Sequence, residues 1–308
     1  MSFYLGIDGG GTKTRCVVGD ETMVLGTAVA GGCNIVRLGE AQARESLHAV
    51  VRQACVAAKI SSRQIRALCI GAAGAARPAI AATLRRLLTE LEAQFADRIE
   101  VVTDAVIALE AAFGSRPGVI AIAGTGSIVY GRDSAGLTSR AGGWGFAISD
   151  EGSGQWIGRH AVSALLRARD EGRETALTAL ILEAWKLADI DELIQRANST
   201  PPPEFPRLSR IVARAAEHGD PLSLELLAHA GAELADLASI VLRRVSPAPP
   251  YVPVATTGSV FRQSAEVRRV FHNRLEKNFP GIALLDDFVE PAMGALARAR
   301  AAGRAMAE

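Results

Sequence analysis

The sequence predicts an α/β protein built from two related halves, on three observations. The stretch FYLGIDGGGTKTRCVVGD (3–20) reads as strand, glycine turn, strand and polar turn, and GVIAIAGTGSIVYGRD (118–133) repeats that plan. Beyond each hairpin, strand-length apolar runs alternate with stretches whose apolar residues recur at helical spacing. The composition is aliphatic, with 49% hydrophobic but only 5% aromatic residues, which suits a helix-rich core.

In order, FYLGI (3–7) is a buried strand, RCVVGD (15–20) its return and TMVLGTAVA (22–30) a third strand. GGCNIVRLG (31–39) reads as a loop, and 40–60 as a helix on its apolar spacing. IRALCIGAAG (65–74) is a strand running into a small-residue turn. The helix over 77–95 has Pro78 in its first turn, where a missing N–H does no harm. RIEVVTDA (98–105) is a strand that reaches an aspartate, followed by a helix over 105–113. SRPG (115–118) marks a boundary before the second hairpin. The segment 151–245 is helical, broken by TPPPEFP (200–206). YVPVATTGSVFRQSAE (251–266) is strand, glycine turn and helix start, and PAMGALARARAAG (291–303) a final helix.

The 308 residues suffice for two domains. Lys plus Arg number 34 and Asp plus Glu 33, a net charge of +1 that argues against nucleic-acid or anionic-membrane partners. Cys16, Cys33, Cys55 and Cys69 form no C-x-x-C pair, as expected of a reducing cytoplasm. No signal peptide is read at the start, and no apolar run approaches the ~20 residues of a membrane span.

The first glycine turn is neither a Walker A loop nor a dinucleotide-binding fingerprint. Thr12 separates Gly11 from Lys13, and a strand rather than a helix follows. It is therefore a hairpin tip whose backbone N–H groups, with Thr12, Lys13 and Thr14, could face a phosphate. A plain hairpin is the alternative. AGTGS (123–127) and TTGSV (256–260) are two further turns of the same chemistry, the last at a strand-to-helix junction. Three such turns favour nucleotide binding.

These segments together resemble the sugar kinase/actin/hexokinase-like ATPases. Within them the chain is similar to the N-acetylglucosamine kinase family, grouped with the benzoyl-CoA-reductase-type ATPases. The resemblance rests on DGGGTKT (8–14), TDA (103–105), GTGS (124–127), GGWGFAISDEGSGQWIG (142–158) and TTGSVF (256–261). It implies two ribonuclease-H-like domains closing on a cleft, with a helical insertion in the C-terminal half. The first would span 1–115, completed by helix 291–308, and the second, ATP-binding, 116–290. It implies ATP and Mg²⁺ on the C-terminal side and an amino sugar between the domains. Dimerisation is common in such kinases, and the residues leave a homodimer open.

The resemblance gives candidate roles, each beside a plainer structural one. Asp8 would hold Mg²⁺, which keeps much of its water shell, or would cap the turn. Asp104 would orient the attacking sugar hydroxyl and take its proton, or cap the helix after it; both can hold. Asn34 would hydrogen-bond the sugar, or is a loop asparagine in a left-handed turn. Asp150 would accept from sugar hydroxyls, with Trp144 and Gly145 beside it, while Glu151 and Ser153 suit helix capping. Gly71 to Gly74 would form a side-chain-poor wall along the sugar. Gly10, Gly11, Gly124, Thr125, Gly126 and Ser127 would hold phosphate, with Gly258 and Ser259 under the adenosine.

The implied reaction is ATP-dependent phosphorylation of the 6-hydroxyl of N-acetyl-D-glucosamine. Glucosamine and N-acetylmuramic acid are the alternatives. A different class is an ATPase that activates a partner enzyme, but such relatives carry cluster-ligating cysteines and here none follows Cys69. A sugar sensor without turnover is a third.

Overall fold

The computed structural model describes residues 2–95, 97–200, 202–285 and 288–305. The chain divides into two units, Met1–Arg116 with Val289–Glu308, and Pro117–Phe288.

The first unit is built on a five-stranded sheet, β1 (Phe3–Gly9), β2 (Lys13–Gly19), β3 (Val24–Gly31), β4 (Ile65–Ala72) and β5 (Ile99–Val102), in the order β3-β2-β1-β4-β5. β1, β2 and β3 run antiparallel, while β4 and β5 extend the sheet in parallel. The two faces bury different residues because side chains alternate along a strand. Leu5, Ile7, Leu68 and Ile70 pack with Leu47, Val50 and Leu84 from α1 (Ile35–Ala57) and α2 (Pro78–Leu91). Tyr4, Val17, Ala67 and Cys69 face Ile107 of α3 (Asp104–Phe113) and Ala292, Leu296 and Ala299 of the C-terminal helix Pro291–Ala305. That helix is also tied to β5 by a bidentate Arg298–Glu100 pair. Residues 306–308 of the expected terminal helix lie outside the described residues.

Three helix boundaries differ from the expectation. α1 starts at Ile35 because Asn34, extended at φ −68° and ψ 101°, caps it by accepting from the Arg37 N–H. Asn34 therefore ends the loop 32–34 but is not in a left-handed turn, and the break at Gly39 (φ 79°) falls inside the helix. α2 ends at Leu91, and Ala93–Phe95 is a separate short turn. α3 is capped by Thr103, whose side chain accepts from the Val106 N–H, so Asp104 is the first helical residue and not the cap.

The second unit repeats the plan with fewer strands: β6 (Gly118–Ala123), β7 (Ser127–Arg132), β8 (Thr138–Gly142) and β9 (Val254–Thr257), in the order β8-β7-β6-β9. β9 lies parallel to β6 and the other pairs are antiparallel. β8 is absent from the sequence reading. Its residues, Thr-Ser-Arg-Ala-Gly, show no apolar alternation, and its register against β7 (Ile128 opposite Gly142) sets it.

The helices are α4 (Gly154–Asp170), α5 (Ala176–Trp185), α6 (Ile190–Ala197), α7 (Leu208–Glu217), α8 (Pro221–Val245), α9 (Ser259–Gln263) and α10 (Ala265–Asn278). Ser153, Thr175, Asp189, Asp220 and Ser264 cap five of them with side-chain acceptors, each satisfying a backbone N–H that has no partner within its helix. The core joins Val119, Ala121 and Val129 to Leu234, Ala238 and Val241 of α8 and to Phe261 and Phe271. Among the described residues, no helix is long and apolar enough to cross a membrane.

Candidate active site

The first unit gathers its candidate residues at one end of its sheet. Asp8 sits in the last pairs of β1, opposite Arg15 on β2 and Gly71 on β4. The turn after it is closed by Gly10 N–H donating to Lys13 O (3.0 Å) and pinned from below by Cys33 N–H donating to Gly10 O (3.1 Å). Thr12 and Lys13 stand exposed at the tip, whereas Thr14 is fully buried against Cys33. Burial, with a smaller push from the Asp8 charge, raises the Cys33 thiol to about 11, against a pull from the Thr14 hydroxyl. That cysteine forms the floor of the turn, which nothing in its sequence spacing signals.

On the neighbouring strands, Ala73 N–H donates to Gly9 O (3.3 Å), so the Gly71–Gly74 segment runs beside the first glycine turn. Gly74 itself is exposed. Asn34 uses its Oδ1 on the Arg37 N–H (3.3 Å), which leaves the amide NH₂ as its group for a ligand.

Asp104 follows β5 and opens α3. Part of the residue remains accessible, yet its carboxyl lies deep among protein atoms, and that burial raises its pKa. The backbone N–H groups of Ala105 (3.0 Å to Oδ1) and of Asp104 itself pull the other way. No ion pair to Asp104 occurs among the described residues.

The second unit brings the other two glycine turns together. Gly258 has φ 106°, and a Cβ there would lie 2.2 Å from Ala123 O, so only glycine lets this turn meet the end of β6. Gly124 N–H donates to Gly126 O (2.9 Å), and Gly154 and Gln155 N–H groups donate to Gly124 O (2.8 Å) and Thr125 O (3.1 Å). The start of α4 therefore clamps the Gly124–Ser127 turn. Ser127 adds a bond from its hydroxyl to Glu151 O (2.7 Å).

Asp150 is 8% exposed, at φ 67°, with Ser127 N–H donating to its Oδ1 (3.4 Å). A Cβ on Gly126 would lie 2.8 Å from its Oδ2. The structure thus seats Asp150 on the phosphate-type turn as well as at the end of the Trp144 loop. Glu151 accepts from the Ser149 hydroxyl (2.9 Å), and Ser153, not Glu151, caps α4. Trp144 is exposed, and the Arg140 guanidinium lies 3.9 Å from its ring centroid. The sequence carries no signal for that pairing, since it depends on β8.

The family model for the BadF/BadG/BcrA/BcrD ATPase family matches residues 5–299. The chain belongs to this family. An N-acetylmuramic acid/N-acetylglucosamine kinase of Clostridium acetobutylicum is 33% identical over 305 residues, 97% of this chain and 99% of that protein. A glucosamine kinase of Vibrio cholerae is 31% identical over 239 residues, 76% of this chain and 78% of that protein. Among solved structures, a protein of Chromobacterium violaceum, provisionally described as an N-acetylglucosamine kinase, superposes with a TM-score of 0.74 at 27% identity, covering 97% of this chain and 99% of that one. Family membership agrees with the resemblance drawn from the motifs.

Proposed function

We propose that this chain is an ATP-dependent amino-sugar kinase that phosphorylates the 6-hydroxyl of N-acetyl-D-glucosamine. The observation that carries the reading is the half-buried Asp104 at the start of α3, its carboxyl shifted upward by desolvation and without an ion pair among the described residues, in a chain whose 33%-identical relative is an amino-sugar kinase matched along nearly its whole length. A carboxylate in that setting is a better proton acceptor than one in water, because burial disfavours its charged form.

The chain fits a nucleotide. Gly11 and Gly126 carry N–H groups with no acceptor among the described residues. A Cβ on Gly124 would meet no atom within 4 Å, so space beside that turn is open to a phosphate. Gly10 to Thr14 and Gly124 to Ser127 would hold the phosphates, and Gly258 with Ser259 the adenosine. Asp8 would hold Mg²⁺ through water, in keeping with an ion that retains its hydration. Bound ATP–Mg²⁺ supplies the phosphoryl group and the charge neutralisation that such transfers need.

The chain's own residues then position and deprotonate the sugar. Asp104 Oδ1 is held by the Ala105 N–H, which leaves Oδ2 to accept the 6-hydroxyl proton as the new P–O bond forms. Asn34 donates through its amide NH₂, and Asp150 accepts from sugar hydroxyls, with Trp144 and Gly145 as the apolar and small neighbours. Glucosamine and N-acetylmuramic acid are the competing substrates.

The test is ADP release with product identification over N-acetylglucosamine, glucosamine, N-acetylmuramic acid, N-acetylmannosamine and glucose. Selective formation of one amino-sugar 6-phosphate is the expected result. Hydrolysis of ATP at one rate whatever the sugar would overturn the reading in favour of an ATPase acting on a partner.

A further inference from the structure

The connection that leaves β3 passes directly under the first glycine turn and ends at Asn34. Gly32 and Cys33 are buried there and between them meet all three glycines of the turn. Cys33 N–H donates to Gly10 O (3.1 Å). A Cβ on Gly9 would lie 2.6 Å from Cys33 Sγ, and a Cβ on Gly32 would lie 2.6 Å from Gly11 O. Gly32 is not among the glycines of positive φ, so its backbone conformation alone does not demand glycine. What excludes a side chain is the close approach of two backbones.

The same two residues lead into the segment proposed to hold the sugar. A Cβ on Gly32 would also lie 2.8 Å from Leu38 Cδ1, in the first turn of α1. Asn34 caps that turn through the Arg37 N–H, and a Cβ on Gly74 would lie 3.6 Å from its Val36 Cγ2. Below the glycines, the Thr14 hydroxyl is fully buried beside the Cys33 thiol and makes no hydrogen bond of ordinary geometry, so packing on the sulfur holds that corner. Cys33 is 1% exposed, and neither it nor Gly32 offers a surface to a ligand.

Phosphoryl transfer leaves a protein little covalent chemistry to do and depends on positioning and charge. We propose that Gly32 and Cys33 are positioning residues: they hold the turn that carries the phosphates and the asparagine that carries the sugar as one body, and so set the distance between the transferred phosphoryl group and the attacking 6-hydroxyl. This rests on the amino-sugar kinase reading and deepens it. With the distance kept, the sugar O6 forms the new P–O bond, ADP leaves and the hydroxyl proton passes to Asp104. With the distance lost, each ligand still binds, but water attacks in place of the sugar and inorganic phosphate forms beside ADP.

The test measures ADP, sugar 6-phosphate and inorganic phosphate in one reaction with N-acetylglucosamine, and the Kd of that sugar and of ADP by calorimetry. Gly32→Ala should lower kcat for sugar phosphorylation about 100-fold, the effect of a misplacement of ~1 Å, with KM and both Kd values within about threefold of wild type. Sugar phosphate formed per ADP should fall below that of wild type. Cys33→Ala removes the sulfur under Gly9 and adds no clash, so it decides the matter if Gly32→Ala does not fold; it should lower kcat about tenfold in the same pattern. Cys33→Ser, close to it in size, should recover most of that loss. Weakened sugar or nucleotide binding with kcat kept would overturn the inference, as would a Cys33→Ala enzyme of normal kcat and product ratio. A kcat loss with sugar phosphate per ADP unchanged and a matching fall in melting temperature would mean a role in folding alone and also overturn it. Wild type that hydrolyses ATP at one rate whatever the sugar would take the amino-sugar reading down with it.

Discussion

The two units use one hairpin plan but set their key aspartates in opposite surroundings. In the first unit the glycine turn is exposed at its tip, and Asp104 is half-buried, its carboxyl accepting from the Ala105 N–H with no ion pair among the described residues. In the second the turn is clamped by α4, and Asp150 rests on the turn itself, taking a bond from Ser127 N–H. Desolvation that two backbone N–H groups only partly offset favours a proton acceptor, whereas a carboxylate seated on a turn becomes part of a rigid frame. Under the proposed function, the aspartate that opens α3 would serve chemistry and the one that ends the Trp144 loop would serve positioning.

That contrast is broken most directly at Asp104. Asp104→Asn should lower kcat about 10²- to 10⁴-fold, the range for loss of a general base, with sugar affinity kept. Its melting temperature should equal or exceed that of wild type at neutral pH, since the mutation removes a charge that folding desolvates. The sign follows from the raised pKa. Stability falls as pH rises from the unfolded carboxylate value through the folded one, and the penalty persists above it. A large stability loss with little kinetic effect would make Asp104 structural.

Next in size is Gly126→Ala. Its Cβ would enter within 2.8 Å of Asp150 Oδ2, so the turn or the carboxylate must move. A fall of about 100-fold in kcat/KM for ATP is expected, since a 1 Å displacement at a reacting centre has that effect. An unchanged value, read by coupled ADP assay, would mean that the clamped turn holds no phosphate.

Lys13→Ala sharpens the other side of the comparison. Lys13 is exposed at the tip of the first turn, so its loss should raise the KM for ATP about tenfold, as for one charge-assisted bond, and leave melting unchanged. The effect should shrink as salt rises, because screening acts on exposed charges. The smallest effect expected is in the pH profile. The acid limb of kcat/KM should lie above the range of an ordinary aspartate, activity rising with pH as Asp104 loses its proton. A limb at the ordinary value would contradict the burial argument.

Much of this was legible in the sequence, where local signals and tertiary structure agree. The hairpins followed from glycines between apolar runs, the helical nature of 151–245 was read as a whole without its separate helices, and the C-terminal helix followed from its alanine-rich composition. β8 was not legible, because Thr138 to Gly142 owe their extended form to pairing with β7 rather than to their own side chains. The start of α1 was obscured by Gly31, Gly32 and Gly39, which punctuate the segment while Asn34 caps a helix through it. Asp104 and Thr103 both suit a cap, and only the backbone shows that Thr103 takes it. At the candidate site the residue types were readable, but their contacts were not. Cys33 under the first turn, Asp150 on the second and Arg140 over Trp144 each join segments that sequence spacing does not connect.

The most direct test of the central claim is the rate of ADP formation by one preparation, measured with and without N-acetylglucosamine and repeated with Asp104→Asn. The account predicts turnover that depends on the sugar and nearly disappears in the variant. Equal ATP hydrolysis with and without the sugar, or a fully active Asp104→Asn, would contradict it.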